Sequence, residues 1–266
     1  MTSIKLGHRR AGAILMLIAF SVISYAQSPP ATTNPEIVTD RPDVTESSIV
    51  VPKGSLQIEN GATWTSDHGS QSLDFSESLI RFGASSQTEI RIVAPNYFGS
   101  ISGPDSPSGF GDIALGMKQH LGPLPGGFDL SVIAAISLPT GASRVSSHGF
   151  DPFIKFPWSK ELSAGWSIGG MQSLFWNTDS GKRNGVWEPT FYIEKEITKP
   201  WDAFAEYAGD FAQWGPSKQI AHFGTAYRVT PSQQVDFHFG FGLSHDAPSR
   251  FFAVGYSFRI DKLWSR

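Results

Sequence analysis

Large apolar side chains occupy every second position of two segments near the C-terminus, residues 235–243 (VDFHFGFGL) and 252–260 (FAVGYSFRI). Small, polar or charged residues fill the positions between them. Successive side chains of a β-strand point to opposite faces, so each segment predicts a strand with one aromatic-rich face and one small or polar face. The apolar face would be buried inside a soluble sandwich, whereas it would contact lipid on a membrane barrel.

Similar segments recur along the chain, and we predict twelve strands from them. They are residues 54–65, 72–83, 87–96, 110–121, 127–138, 150–158, 164–177, 186–197, 201–212, 218–229, 234–244 and 250–260. An even number of strands, most with the roughly 9–11 residues needed to cross a bilayer, is typical of bacterial barrels. Longer links alternate with tight turns, as external loops alternate with periplasmic turns. A change of phase near Glu77 predicts a bulge in the second strand.

The alternate face of these strands collects ionisable side chains, which we predict to line a pore. They are Glu59, Arg81, Glu89, Arg91, Asp112, Lys118, Asp129, Glu206, Asp210, His222, Arg228, Asp236, His238 and Arg259. A sandwich core could not bury so many charges, because unpaired buried charges are very costly, whereas a wet lumen tolerates them. The pattern therefore predicts an all-β fold, an antiparallel transmembrane β-barrel of about twelve strands.

Pairing within the wall is the simpler explanation for any single inward charge, and ligand binding is the alternative. The tight turn after the tenth strand predicts that Arg228 and Asp236 lie opposite each other. Twelve strands lie between filled eight-stranded barrels and open sixteen-stranded porins, so we expect a narrow lumen that loops or the N-terminal segment easily occlude.

The N-terminus predicts a secretory signal peptide. A basic start precedes an apolar run at residues 11–23, and small residues lead to a cleavage point after Ala26. An uncleaved anchor is the alternative. The predicted organisation is residues 1–26 as signal peptide, 27–52 as a periplasmic N-terminal segment that can fold into the barrel mouth, 53–260 as the barrel and 261–266 as a short C-terminal tail.

Composition narrows the partners and the chemistry. The chain of 266 residues has a formal net charge of −3, which argues against a nucleic-acid partner. It has no cysteine, so disulfides and thiolate metal sites are excluded, and its scattered histidines and carboxylates predict no metal or other cofactor. No G-x-S-x-G sequence is present, and His222 and His238 face the predicted lumen, so we expect no enzyme activity.

The segment Thr39-Asp40-Arg41-Pro42, with Val51-Pro52 and residues 56–61 (LQIENG), resembles the opening signature of the outer-membrane transporter family labelled "MetA-pathway of phenol degradation". Residues 80–83 with 89–91, 109–112 with 116 and 118, 138–141, and 254–258 fit the same pattern. The resemblance implies export through the periplasm to the outer membrane, contact with its lipid and with the barrel assembly machinery, and transport of small solutes, including aromatic or other small organic compounds.

The leading functional hypothesis is a channel for small solutes. An inward excess of acid predicts mild cation preference, which neutralising Glu206 and Asp210 together should reduce. The alternatives are a structural or surface-interaction barrel with an occluded lumen and, less favoured, a lipid-modifying barrel enzyme.

Overall fold

A computed structural model describes residues 35–102 and 108–263, and the predicted signal peptide lies outside them. The strands are β1 (Leu56–Asp67), β2 (Ser70–Phe75), β3 (Leu79–Gly83), β4 (Thr88–Val93), β5 (Tyr97–Ser102), β6 (Gly109–Phe110), β7 (Ile113–Leu124), β8 (Phe128–Leu138), β9 (Asp151–Glu161), β10 (Trp166–Asp179), β11 (Lys182–Thr198), β12 (Trp201–Ala212), β13 (Lys218–Thr230), β14 (Gln233–Gly242) and β15 (Arg250–Ile260). One 3₁₀ turn, Ser163–Gly165, lies between β9 and β10. Across the described ranges, no helix has the length and apolar character needed to span a membrane.

The strands form one antiparallel sheet that closes on itself. β15 pairs with β1 from Leu56↔Ile260 to Ser66↔Arg250, which joins the last strand to the first. The pairs β2/β3, β4/β5 and β6/β7 each form one interrupted crossing strand, so the wall has twelve strands. The predicted twelve-stranded antiparallel barrel is therefore confirmed. The first interruption falls at residues 76–78, where Ser76 has a φ of 54°, at the predicted bulge.

One external connection differs from the prediction. The predicted strands 164–177 and 186–197 leave NTDSGKRNG, residues 177–185, as one of the longer external loops, but β10 and β11 stay paired as far as Asp179↔Lys182. The turn is Ser180-Gly181, and both residues have positive φ, as a two-residue hairpin requires. The loop prediction is wrong because polar residues beyond the membrane can continue an antiparallel ladder as well as apolar ones.

The two faces of the wall have opposite character, as β14 illustrates. Val235, Phe237 and Phe239 are 41%, 42% and 41% exposed on the outside, while Asp236 and His238 are 6% and 8% exposed on the inside. An apolar outer face fits hydrocarbon, and a charged inner face fits a polar lumen. The sandwich alternative is excluded because its aromatic face would be buried.

The N-terminal segment runs inside this wall. At the end of the barrel that carries the tight turns, here called the periplasmic end, Ile37 donates its backbone N–H to Pro231 O over 2.8 Å. The segment reaches Glu206, midway along β12, and returns to the same end, where Gly54 N bonds Gly83 O over 2.8 Å. We call residues 37–52 the plug. The described part of the predicted periplasmic segment thus lies largely within the lumen.

Candidate functional site

Asp40 anchors the plug to a cluster of cations on one sector of the wall. Its carboxylate lies 2.5 Å from Arg91, 2.9 Å from Lys118 and 3.3 Å from Arg81. These residues come from β3, β4 and β7, whose registers place Arg81 opposite Arg91 and Lys118 opposite Glu89. Burial alone would raise the pKa of Asp40, but Arg81, Lys118 and Arg91 outweigh it and hold the pKa below its ordinary value.

The acids of the same sector hold the plug backbone. Glu59 accepts the N–H groups of Asp40 and Arg41 over 2.9 and 3.2 Å, and Glu89 accepts the N–H of Val51 over 2.9 Å. Both carboxylates also lie 2.9 Å from Arg81, whose side chain is fully buried. Buried charges are tolerated when they are paired and hydrogen-bonded, and here the plug completes the pairing.

Arg41 lies across the seam where the barrel closes. Its guanidinium lies 2.5 Å from Glu77 and 3.4 Å from Asp236. Gly61 on β1 and Gly255 on β15 face each other in register beneath it. A Cβ at Gly255 would approach Arg41 Nε to 2.6 Å, and one at Gly61 would also collide with the guanidinium, so glycine is required at both positions. We call Glu77, Asp236, Gly61 and Gly255 together the Arg41 seat.

The tip of the plug, residues 43–45, is held by Glu206. The backbone N–H groups of Val44 and Thr45 each donate to the Glu206 carboxylate over 2.8 Å. The Thr45 hydroxyl contacts both Glu206 and Thr190, and His222 Nε2 bonds the same carboxylate. One wall carboxylate therefore gathers the donors that fix the tip in mid-lumen.

Cavities lie on both sides of the tip. Toward the external loops, two adjoining cavities of about 480 and 380 Å³ share Glu188, Asp210 and Lys218, and the smaller one reaches Val44; together we call them the vestibule. Toward the periplasmic end, a cavity of about 310 Å³, which we call the chamber, is lined by Asp43 and Thr45 among other residues. The tip thus has one side chain facing the vestibule and two facing the chamber.

Asp43 is the charged residue of the tip, and other carboxylates lie near it. Its pKa is raised well above the ordinary value by burial first, and then by the neighbouring carboxylates Glu206 and Glu194. The chamber wall also contains Glu161, Glu196 and Asp202, the last paired with Arg228. The chamber therefore has an acidic lining.

The predicted pore-lining residues fall into two groups. Those that bond the plug, or one another beside it, are Glu59, Arg81, Glu89, Arg91, Lys118, Glu206, His222, Asp236 and His238. The others lie apart: Asp112 accepts N–H groups of Gly141 and Ser147, Asp129 lies 3.1 Å from His120, Asp210 lines the vestibule, Arg228 bonds Asp202, and Arg259 lies 2.7 Å from Asp261.

The predicted pairing of Arg228 with Asp236 is wrong. The register places Asp236 opposite Ala226 and Arg228 opposite Gln234. Arg228 instead lies 2.6 Å from Asp202, and Asp236 pairs with Arg41 of the plug. Asp236 therefore pairs with a residue of the plug, which residue spacing along the two strands could not predict.

Sequence reasoning missed Glu46, and it predicted only a bulge at Glu77 rather than a contact in the lumen. Glu46 lies 2.6 Å from both Arg91 on β4 and Lys155 on β9, and so connects the plug to two strands of the wall. The charges of the wall could have indicated such a residue. The sector with Arg81, Arg91 and Lys118 has three cations but only two acids, Glu59 and Glu89. An additional anion from outside the strands was needed, and Asp40 and Glu46 supply it.

A closed antiparallel wall with an apolar outer face and a charged lumen defines a porin-like outer-membrane β-barrel. The chain belongs to the family described as "Putative MetA-pathway of phenol degradation", whose sequence model matches residues 39–260. That range includes the plug from its third residue onward and the whole barrel.

Solved structures share the fold at low sequence identity. An outer-membrane channel from Pseudomonas putida F1 is 12% identical with a TM-score of 0.63, covering 80% of this chain and 98% of that chain. The NanC porin is 11% identical with a TM-score of 0.55, covering 77% and 100%. The KdgM porin is 7% identical with a TM-score of 0.54, covering 76% and 98%. Among curated proteins, no sequence match was found.

Proposed function

We propose that this protein is an outer-membrane channel for small solutes and that movement of the plug opens it. The observation that carries the proposal is the tip between two cavities. Val44 lines the vestibule, while Asp43 and Thr45 line the chamber, so a displacement of these residues would connect the two sides. Hydrogen bonds and ion pairs hold the plug, and such contacts can break and re-form.

The vestibule supports small amphipathic organic compounds as solutes. Phe175, Val186 and Trp214 form an apolar side, while Glu188 and Asp210 offer carboxylate acceptors. An aromatic ring with a hydroxyl or amino group would satisfy both sides. The family description, which refers to phenol degradation, points to the same class of compound.

A permanently plugged structural barrel is the second candidate. The number of buried ion pairs between plug and wall favours it, because each pair adds to the cost of release. The two functions differ in whether the plug leaves its position while solute passes.

A disulfide lock separates them. Ser48 of the plug and Ser159 of β9 have their hydroxyl oxygens 2.8 Å apart, and the chain has no cysteine of its own. In the double variant Ser48→Cys/Ser159→Cys, oxidation should abolish conductance in planar bilayers and uptake of small aromatic solutes by liposomes. A reducing agent should restore both, because it frees the plug.

The wild-type chain and each single cysteine variant serve as matched controls, and oxidation should leave their conductance unchanged. A second lock, Thr45→Cys/Thr190→Cys, holds the tip itself. Conductance that persists in both oxidised double variants would refute the moving plug, and a wild-type protein that passes no solute would support the structural barrel.

A further inference from the structure

The Arg41 seat is a complete guanidinium-binding site built from the barrel wall. Glu77 and Asp236 lie on two sides of the Arg41 guanidinium, and Val254 O lies 3.5 Å from Nη2. Gly61 and Gly255 form its floor. All of these groups belong to the strands or their interruption, so the site persists if the plug moves.

The seat holds an acceptor that Arg41 does not use. Asp236 is 6% exposed, and its Oδ2 is buried without a hydrogen-bond partner, although Oδ1 accepts from Arg41. Arg41 Nε is likewise buried without an acceptor. A buried carboxylate oxygen normally has a donor, so a better-centred planar cation would gain a hydrogen bond that the tethered arginine forgoes.

The shape of the seat selects a guanidinium over an ammonium. Two carboxylates and a carbonyl placed around a flat glycine floor match the several in-plane N–H donors of a guanidinium. An ammonium has its donors on one compact centre and cannot reach acceptors on both sides equally. The glycine pair also leaves room for a planar group to lie against the backbone.

A free solute can reach this position from the chamber. Arg41 itself lines the chamber, together with Glu161 and Glu196, whose carboxylates attract cations. A cation that enters from the periplasmic end is therefore concentrated next to the side chain with which it would compete.

We propose that the Arg41 seat binds guanidinium groups of small solutes, which displace Arg41 and so release the plug. The gating part rests on the proposed channel function, whereas the binding part does not. Guanidinium-bearing compounds are thus a solute class in addition to amphipathic aromatics.

Removal of the tethered side chain exposes the site to a direct binding test. In Arg41→Ala, methylguanidinium at millimolar concentration should raise the thermal unfolding temperature, and methylammonium at equal ionic strength should not. The double variant Arg41→Ala/Gly255→Ala has a methyl group in the seat, where it would lie 2.6 Å from Asp236 Oδ1. Its apparent affinity for methylguanidinium should fall by roughly tenfold or more.

Arg41→Ala/Gly185→Ala is the matched control, because a Cβ at Gly185 has its nearest neighbour 3.7 Å away. This variant should bind methylguanidinium as Arg41→Ala does. Equal binding by the seat-filled and control variants, or no binding by Arg41→Ala, would overturn the proposal. If Arg41→Ala does not fold, Arg41→Gln replaces it in all three comparisons, with the same outcomes.

The gating part has its own measurement. Methylguanidinium should increase the open probability of the wild-type channel, and methylammonium should have no such effect. If binding is found but the open probability does not respond, the seat is a binding site without control of the plug, and the gating part is refuted. Failure of the wild type to conduct at all would instead contradict the channel function.

Discussion

Thr45, at the tip of the plug, donates its backbone N–H to the carboxylate of Glu206 over 2.8 Å. The two residues are 161 positions apart, and their contact joins the N-terminal plug to the middle of the barrel wall. Because the tip separates the vestibule from the chamber, the proposed movement of the plug requires this bond and its neighbours to break.

Neutralising the wall carboxylate should loosen the tip. Glu206→Gln keeps the shape of the side chain but replaces charge-assisted bonds from Val44 and Thr45 with weaker neutral ones. A loss of about 1.5 kcal/mol from the plugged state would raise the open fraction roughly tenfold. Single-channel recordings measure this.

Glu188→Gln is the comparison variant for that experiment, because Glu188 lines the vestibule away from the tip's hydrogen bonds. Its open probability should match the wild type. An equal rise in both variants would mean that lumen charge in general, rather than the bond to the tip, controls opening.

Removing the Asp40 charge should destabilise the folded barrel. Asp40→Asn removes the carboxylate that contacts Arg81, Arg91 and Lys118, which all remain buried. Breaking a buried ionic network in this way costs on the order of 3–5 kcal/mol. Thermal unfolding, followed by the shift in gel mobility on heating, should show a lower midpoint.

Glu36→Gln provides the contrast for Asp40→Asn. Glu36 lies 3.2 Å from Arg228, but its side chain is 61% exposed, so its loss should cost less than about 1 kcal/mol. A midpoint in Asp40→Asn as high as in Glu36→Gln would show that the cation cluster does not need the plug.

Opening should increase with pH through the titration of Asp43. Burial, Glu206 and Glu194 raise the pKa of Asp43 in the plugged state, whereas a released tip would have an ordinary pKa. The plugged state therefore binds the proton more tightly. Its advantage is complete below the ordinary aspartate pKa and is lost as the pH rises through the raised value.

Open probability recorded across this range tests the titration. Asp43→Asn removes the titrating group and should flatten the corresponding part of the profile while keeping the plug closed at high pH. A profile in Asp43→Asn identical to that of the wild type would assign the pH dependence to other groups.

Selectivity should depend on Asp210 of the vestibule rather than on Glu206, the wall carboxylate that holds the tip. Asp210 lines the vestibule, whereas Glu206 is buried beneath the tip. Asp210→Asn should therefore lower cation preference, measured as a reversal potential closer to zero in a salt gradient. Glu206→Gln should change the frequency of opening with a smaller change in reversal potential, so the effect expected of the double substitution separates into two.

The barrel was readable from the sequence because its signal is local. Alternation along residues 235–243 identifies both the strand and its lipid face, since side chains two apart share a face. The hairpin at residues 177–185 was misassigned because turn-forming residues dominate its composition, although the ladder continues through it. Local composition cannot distinguish a polar ladder from a loop.

The plug was not readable in the same way. Residues 37–52 have no period, because the plug contacts several different parts of the wall rather than one regular neighbour. The contacts join positions far apart, such as Val44 with Glu206 and Arg41 with Asp236. The charge imbalance of the Arg81 sector was the one local trace of this segment.

The position of Arg41 has a consequence for the order of folding. Gly61 and Glu77 come from the beginning of the barrel, while Asp236 and Val254 come from its end. The arginine can settle only after the final strand has docked on the first. The plug can therefore be fixed at Arg41 only in a closed barrel. A chain that ends before β15 would lack part of this site, and its plug would be held less firmly.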